Sequence, residues 1–107
     1  MKKLIRNKIV ERLELSEWEV ITDHSQLNHL YALKVQEELN EIISAGFQDG
    51  LEFADLIEVA YAFAKANGFT AAEIDSLRSQ KEFIRGGFSD IALTNLDPNN
   101  PSNQIYK

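Results

Sequence analysis

The sequence predicts an all-α fold: a small helical bundle built on two long antiparallel helices, with shorter helices around them and oligomerisation to complete it. Along two long stretches apolar residues recur at intervals of three and four, which is the period of an α-helix and not of a strand. A glycine follows each stretch, at the position where helices commonly end. Both prolines, Pro98 and Pro101, lie near the end of the chain, so no proline interrupts the predicted helices. Helices joined by short turns predict a bundle.

Length and composition indicate one small globular domain. The chain has 107 residues, of which 44% are hydrophobic and 26% charged, and its net charge of −6 argues against a broad basic face that binds nucleic acid. The absence of cysteine excludes disulfides, thiolate zinc sites and thiol nucleophiles. No stretch approaches the roughly 20 apolar residues of a membrane span. We therefore expect a cytoplasmic protein with neither a nucleic-acid nor a membrane partner.

The two ends of the chain carry the weakest helical patterns. Apolar residues between Leu4 and Leu13 predict a short helix followed by a loop, whereas Trp18–Thr22 favours β-structure and fits either a strand or an extended connection. Proline and asparagine dominate the last residues, which favours turns. We expect a domain over residues 1–96 and an irregular tail over residues 97–107.

The first long helix is predicted over Ser25–Ser44. Asp23 or Ser25 could cap its N-terminus, and Gly46 follows its C-terminus. The helix carries one apolar face, as expected for packing against a neighbour.

The second helix is predicted from about Leu51 to Asn67. It is entered through Asp49-Gly50 and closed by Gly68. Apolar residues cover nearly its whole circumference, so it should be buried on most sides. Because a chain this small can hardly supply that cover, we expect a second subunit to pack on it, in a homodimer or a homotetramer.

A third helix is predicted to begin at Thr70, where Thr70 and Glu73 have the spacing of a capping box, and to end at about Phe83 or Ile84. Lys81 and Arg85 lie at i and i+4 on one face of this segment, before Gly86-Gly87. The glycine amides and the two cations could approach an anion, although a basic helix end with a glycine cap explains the same residues.

Two acidic motifs carry the chemistry of the sequence. Each places two carboxylates at i and i+3, on one face of its helix. Ten residues, 42–51, separate the motifs and contain glycines that could reverse the chain, so the two pairs could face each other. The motif acids are Glu38 and Glu41 on the first long helix and Glu52 and Asp55 on the second. Two more acids, Glu37 and Glu58, lie beside them as further ligands or bases.

Four facing carboxylates would repel one another unless a cation lies between them. Hard oxygen ligands suit Mg²⁺ or Mn²⁺ better than zinc. Basic side chains could neutralise the same cluster without any metal, and the spacing alone leaves both interpretations open. The candidate basic partners are Lys34, Lys65, Lys81 and Arg85.

Four motifs, in this order, resemble the MazG-like and phosphoribosyl-ATP pyrophosphohydrolase-like proteins, which are all-α NTP pyrophosphatases. The resemblance covers about residues 3–88. The motifs are Lys3-Leu4-Ile5-Arg6-Asn7-Lys8-Ile9, Glu37-Glu38-Leu39-Asn40-Glu41, Glu52-Phe53-Ala54-Asp55-Leu56-Ile57-Glu58-Val59 and Lys81-x-x-x-Arg85-Gly86-Gly87-Phe88.

The resemblance implies a metal-dependent hydrolase that cleaves a nucleoside triphosphate between the α and β phosphates, in the removal of unwanted nucleotides. It implies that Mg²⁺ is held by Glu38, Glu41, Glu52 and Asp55. It also implies that the nucleotide phosphates are bound by Lys3, Arg6, Lys8, Lys81 and Arg85. Glu37 or Glu41 could take the proton of the attacking water.

The chain departs from the family pattern at three points. Asn7 stands where similar proteins commonly have an aspartate, Ile9-Val10 lacks the usual proline, and the ten-residue gap between the acidic motifs is short. Two other functions fit the same residues. One is a non-catalytic helical interaction module whose acids form salt bridges, and the other is hydrolysis of a different pyrophosphate substrate such as phosphoribosyl-ATP.

Overall fold

The structure is a computed structural model, and it describes residues 2–88 and 92–104. All regular structure in these two ranges is helical, so the all-α prediction is confirmed. The three α-helices are α1 (His24–Ser44), α2 (Gly50–Ala66) and α3 (Ala71–Arg85). Three short 3-10 helices accompany them, at Asn7–Arg12, Leu15–Glu17 and Pro101–Gln104. None of the helices in the described ranges is long and apolar enough to cross a membrane.

The chain divides into two compact units, Met1–Ala71 and Ala72–Lys107. The first unit contains α1, α2 and all the acids of the two predicted motifs, and the second contains nearly all of α3. The last three residues of the predicted tail, 105–107, lie outside the described residues, and so do residues 89–91.

The N-terminal segment, where the helical pattern is weak, forms short 3-10 helices before α1. The predicted short helix is the six-residue 3-10 helix Asn7–Arg12, which has no buried residue. The β-favouring segment Trp18–Thr22 forms no strand in the described part of the chain, and Trp18 has an extended backbone with φ −147° and ψ 160°. Of the two alternatives for this segment, the extended connection is therefore the observed one.

Aspartates cap the starts of the two long helices. The Asp23 carboxylate accepts the backbone N–H of Ser25 at 2.9 Å, and the Asp49 carboxylate accepts that of Leu51 at 2.9 Å. Each bond satisfies a donor that has no partner inside its helix, which is why these helices begin where the sequence predicts to within one residue.

Both long helices end in the same way, on a glycine in the left-handed region. Gly46 has φ 66°, its N–H donates to the carbonyl of Ile43 at 3.0 Å, and the next N–H, of Phe47, donates to the carbonyl of Ile42 at 3.1 Å. Gly68 repeats the pattern at the end of α2 with φ 92°. These paired bonds form a Schellman motif, which satisfies the last carbonyls and turns the chain away from the helix axis.

α1 and α2 pack against each other, and their side chains meet at identified points. The rings of Tyr31 and Phe63 stack with centroids 5.2 Å apart and planes inclined by 11°. The Asn67 amide nitrogen donates to the Asn28 amide oxygen at 2.8 Å. These contacts join the first half of α1 to the last part of α2.

The first unit has a very small buried core. Among the described residues only Leu30, Glu38 and Ile42 are buried, and all three lie on one face of α1, at spacings of eight and four. α2 has no buried residue, although its sequence is apolar nearly all round. Several large apolar side chains at the α1–α2 turn and along α2 are exposed: Ile43, Phe47, Leu51, Phe53 and Ile57.

Candidate metal centre

The two acidic motifs meet between α1 and α2. One carboxylate oxygen from each of four residues lies within 4.8 Å of the corresponding oxygens of the others. We call these four residues the acidic quartet: Glu38 and Glu41 from α1, with Glu52 and Asp55 from α2. Because α1 and α2 are both fixed by caps at the turn between them, residues eleven to seventeen apart in sequence are brought into one group.

Glu38 is the most deeply placed member of the quartet. It is only 6% exposed and lies on the α1 face that also buries Leu30 and Ile42. Its Oε2 atom is buried with no hydrogen-bond partner, and the same is true of the Oε2 atom of Glu52. A buried carboxylate oxygen without a donor is unfavourable. Neither of these two atoms has a positive partner in the described part of the chain.

The electrostatics of the quartet favour added positive charge. Burial raises the pKa of Glu38 above its ordinary value, the negative charge of Glu41 raises it further, and Lys34 opposes the change. The pKa of Glu52 is also raised, first by desolvation and then by its contact with Glu41. Both carboxyls thus bind a proton more readily than they would in water, as expected of acids that face other acids.

Two cations contact the quartet directly. The Arg6 Nη2 atom lies 2.6 Å from Oδ1 of Asp55, and it reaches that atom from the N-terminal segment. The Lys34 ammonium lies 3.8 Å from Oε1 of Glu38 and 3.4 Å from Oε2 of Glu37. The Arg6 contact has the short distance of a charge-assisted hydrogen bond, whereas the Lys34–Glu38 distance is longer than a hydrogen bond.

The local charges do not cancel. Glu37 forms a second ion pair, with Lys3: the Lys3 Nζ atom lies 3.7 Å from the Oε1 atom of Glu37. The quartet and Glu37 together provide five carboxylates, and Lys3, Arg6 and Lys34 provide three positive charges. With every group ionised, two negative charges are left over. That excess equals the charge of one divalent cation.

The donor set of the quartet fits a hard divalent cation. It consists of carboxylate oxygens, with no sulfur or imidazole among the four residues. Oxygens that lie within 4.8 Å of one another are close enough to share one cation. Together with the unpartnered Oε2 of Glu38, this arrangement could hold Mg²⁺ or Mn²⁺.

A cleft of about 410 Å³ opens beside the quartet, between α1 and the N-terminal segment. The charged residues that line it are Lys2, Lys3, Lys34, Glu37 and Glu41. Lys2 is paired with Glu19. The cleft therefore joins one quartet member to a group of basic side chains.

The other residues predicted for the site lie in different surroundings. Glu58 is exposed on α2 and is not a member of the quartet. Lys8 is exposed and has no ion pair within the described ranges. Lys81 and Arg85 lie on α3, in the second unit, and their part in the site stays a prediction.

Lys34, one of several candidate basic partners of the acids in the sequence, contacts both Glu37 and Glu38 in the structure. A signal for its position is present in the sequence, because residues 30, 34, 38 and 42 follow one another at i+4 along one face of α1. A lysine on the buried face, one turn before a buried glutamate, is placed to contact it.

Comparison with protein-family models, with curated proteins and with solved structures gives no match to this chain.

We expect Glu38→Gln to change how stability depends on pH. Because the folded-state pKa of Glu38 is raised above 4.5, the folded wild type holds a proton that the unfolded chain has lost, and its stability falls as pH rises from 4.5 through the folded-state pKa. The variant lacks this titration. In EDTA, the free energy of unfolding of Glu38→Gln relative to wild type should therefore increase over that interval.

Urea unfolding at a series of pH values from 4.5 to 8 measures this difference. Glu58→Gln is the matched control, since it makes the same change at an exposed position on α2 and should follow the wild type. Parallel curves for wild type and Glu38→Gln would show that the Glu38 carboxylate is not destabilised by its surroundings.

Proposed function

We propose that this chain is a Mg²⁺-dependent nucleotide pyrophosphohydrolase, which cleaves an NTP or dNTP between the α and β phosphates to a nucleoside monophosphate and pyrophosphate. The observation that carries the proposal is the acidic quartet with its buried, unpartnered Glu38 oxygen. These four residues are also the ones to which the family resemblance assigns Mg²⁺. As part of the same proposal, the protein removes unwanted nucleotides in the cytoplasm and accepts Mn²⁺ in place of Mg²⁺.

The quartet residues Glu38, Glu41, Glu52 and Asp55 would hold the metal in this reaction. When bound, Mg²⁺ supplies neutralisation of phosphate charge and Lewis acidity toward water and phosphate oxygens. The carboxylates would orient it, and the burial of Glu38 on α1 holds one of them in place.

Glu37 is the better placed of the two candidate bases. Glu41 is a member of the quartet, so its carboxylate is committed to the metal in this proposal. Glu37 lies next to the quartet and is not one of its members, and its oxygens are held by Lys3 and Lys34 at 3.7 Å and 3.4 Å. Fixed in this way at the edge of the cleft, Glu37 could accept the proton of an attacking water.

We propose the N-terminal cations as ligands of the phosphates. Lys3 and Arg6 each reach an acid at or beside the quartet, which supports a position near the leaving pyrophosphate. There their charge would stabilise the negative charge that develops on the leaving group. We extend the proposal to Lys8, Lys81 and Arg85 on the resemblance alone.

We further propose that α1 and α2 form an antiparallel hairpin and that a second copy of this chain covers it. Two features support the antiparallel arrangement. The contact between Asn28 and Asn67 lies toward one end of the helix pair, and the quartet lies toward the other end. The exposed side chains of Phe53 and Ile57, at 45% and 55%, support the cover. Two such hairpins would form a four-helix bundle, as a homodimer or as half of a homotetramer.

One observation favours a second function, that of a non-catalytic helical interaction module. Arg6 and Lys34 already pair with two quartet members, as they would if the acids served only as salt-bridge partners. The buried Oε2 atoms of Glu38 and Glu52 count against this function, since no cation in the described part of the chain pairs with them. A third candidate keeps the chemistry but changes the substrate, for example to phosphoribosyl-ATP.

Pyrophosphate release from a panel of NTPs and dNTPs tests the proposed function. We expect release with Mg²⁺ or Mn²⁺ and none with EDTA. Glu38→Gln should lower the rate by at least about 100-fold, because even residues that only support metal ligands contribute 10- to 100-fold. Glu58→Gln, outside the quartet, should retain the wild-type rate.

The outcomes separate the three candidates. Metal-induced stabilisation without turnover of any triphosphate would favour the third candidate, a different pyrophosphate substrate. If the metal neither stabilises the protein nor supports turnover, the interaction module is the better description. Full activity of Glu38→Gln would remove Glu38 from the ligand set.

Light scattering at micromolar concentration tests the proposed assembly. We expect the wild type to have the mass of a dimer or a tetramer, and Ile57→Asp to lower that mass or to unfold the chain, because it places a charge in the apolar interface. The control is Leu96→Asp, an equally abrupt change at a fully exposed apolar residue outside α1 and α2. A monomeric wild type would contradict the assembly.

A further inference from the structure

One quartet member is contacted from outside the two helices. Arg6 is 49 residues before Asp55 in the sequence, and its Nη2 atom donates to Oδ1 of Asp55 at 2.6 Å. The other cation of the quartet, Lys34, belongs to α1 itself and lies one turn from Glu38. Arg6 therefore occupies Asp55 through a segment that is not part of the helix pair.

Arg6 and Lys34 differ in how easily their side chains could move away from the carboxylates that they contact. The Lys34 side chain is 23% exposed, whereas the Arg6 side chain is 61% exposed although its guanidinium makes the shorter contact. Arg6 immediately precedes the 3-10 helix Asn7–Arg12, which has no buried residue. A segment with so little burial can shift with little loss of packing, and a guanidinium that leaves Asp55 is already close to water.

A divalent cation and the Arg6 guanidinium make competing demands on Asp55. A guanidinium has only donors, so it uses the carboxylate lone pairs that a metal would use. It also places a positive charge within a few ångströms of the position that the quartet offers to a cation. Two like charges at that separation repel each other.

We propose that Arg6 is the exchangeable counter-ion of Asp55: its guanidinium occupies the carboxylate in the metal-free protein and leaves it when a divalent cation binds the quartet. This inference rests on the metal role in the proposed function and adds a residue that sets the affinity for the metal. The competing reading is that Arg6 positions Asp55 for the metal from a second oxygen, as supporting residues around metal ligands commonly do. The two readings predict opposite effects on metal affinity.

Calorimetric titration of the full chain with Mn²⁺ decides between them. Arg6→Gln should bind Mn²⁺ about two- to fivefold more tightly than wild type, the range that corresponds to the strength of an exposed ion pair. Arg12→Gln is the control, because it removes the same charge from the same segment at an exposed residue with no ion pair in the described ranges. Its affinity should equal that of the wild type.

Nuclear magnetic resonance of the arginine side chains gives a readout that a purely structural role would not change. In the metal-free wild type the Arg6 side-chain N–H signals should have shifts typical of an ion pair, and Mg²⁺ should move them to the position of a solvated arginine. The signals of Arg12 should not move. Arg6 signals that keep their metal-free position after saturation with Mg²⁺ would overturn the proposal.

The failure of this inference can be told apart from the failure of the proposed function. If wild type and Arg6→Gln bind Mn²⁺ equally well, exchange is refuted and the metal centre stands. If Arg6→Gln binds more weakly, Arg6 positions Asp55 and does not compete for it. If neither the wild type nor any variant binds Mn²⁺, the quartet does not bind this metal. The inference about Arg6 is then refuted together with the proposed function.

Discussion

The carboxylate of Glu38 lies on the α1 face that also buries Leu30 and Ile42, and the arrangement of the first unit follows from that placement. A charge in this position requires positive partners, since an unpaired buried carboxylate is strongly unfavourable. Lys34, one turn earlier on the same face, approaches one oxygen to 3.8 Å, and the other oxygen has no partner. The three further carboxylates around it increase the demand for positive charge.

The same constraint links the site to assembly. α1 and α2 are fixed at their ends by aspartate caps and Schellman motifs, yet only two large apolar side chains of the two helices are buried, and both belong to α1. A core of that size is small for a stable domain, because burial of apolar surface provides most of the stability. A metal between the helices and a second copy over their exposed faces would each add stabilisation, and our proposal requires both. The rigidity of the quartet would then depend on the oligomer as much as on the chain itself.

The sequence was sufficient to predict the parts of the structure that depend on local rules. Capping acts within one or two turns, so the helix ends can be identified from single residues: Asp23, Asp49, Gly46 and Gly68. The i, i+3 spacing of the acids likewise places each pair on one face of its helix. The contact of Arg6 with Asp55 could not be predicted, since 49 residues separate them and no periodicity links an irregular N-terminal segment to a helix face. Nor could the depth of Glu38, which depends on how closely α2 packs against α1.

We propose the acidic quartet as a divalent-metal centre, and the other proposals for this chain depend on that role. A crystal structure of the protein grown with Mn²⁺, with anomalous scattering used to locate the ion, would test it. We expect one or more Mn²⁺ peaks within ligand distance of Glu38, Glu41, Glu52 and Asp55, with an oxygen of Glu38 among the ligands. A well-ordered quartet without Mn²⁺, or Mn²⁺ bound only at other acids of the chain, would contradict it.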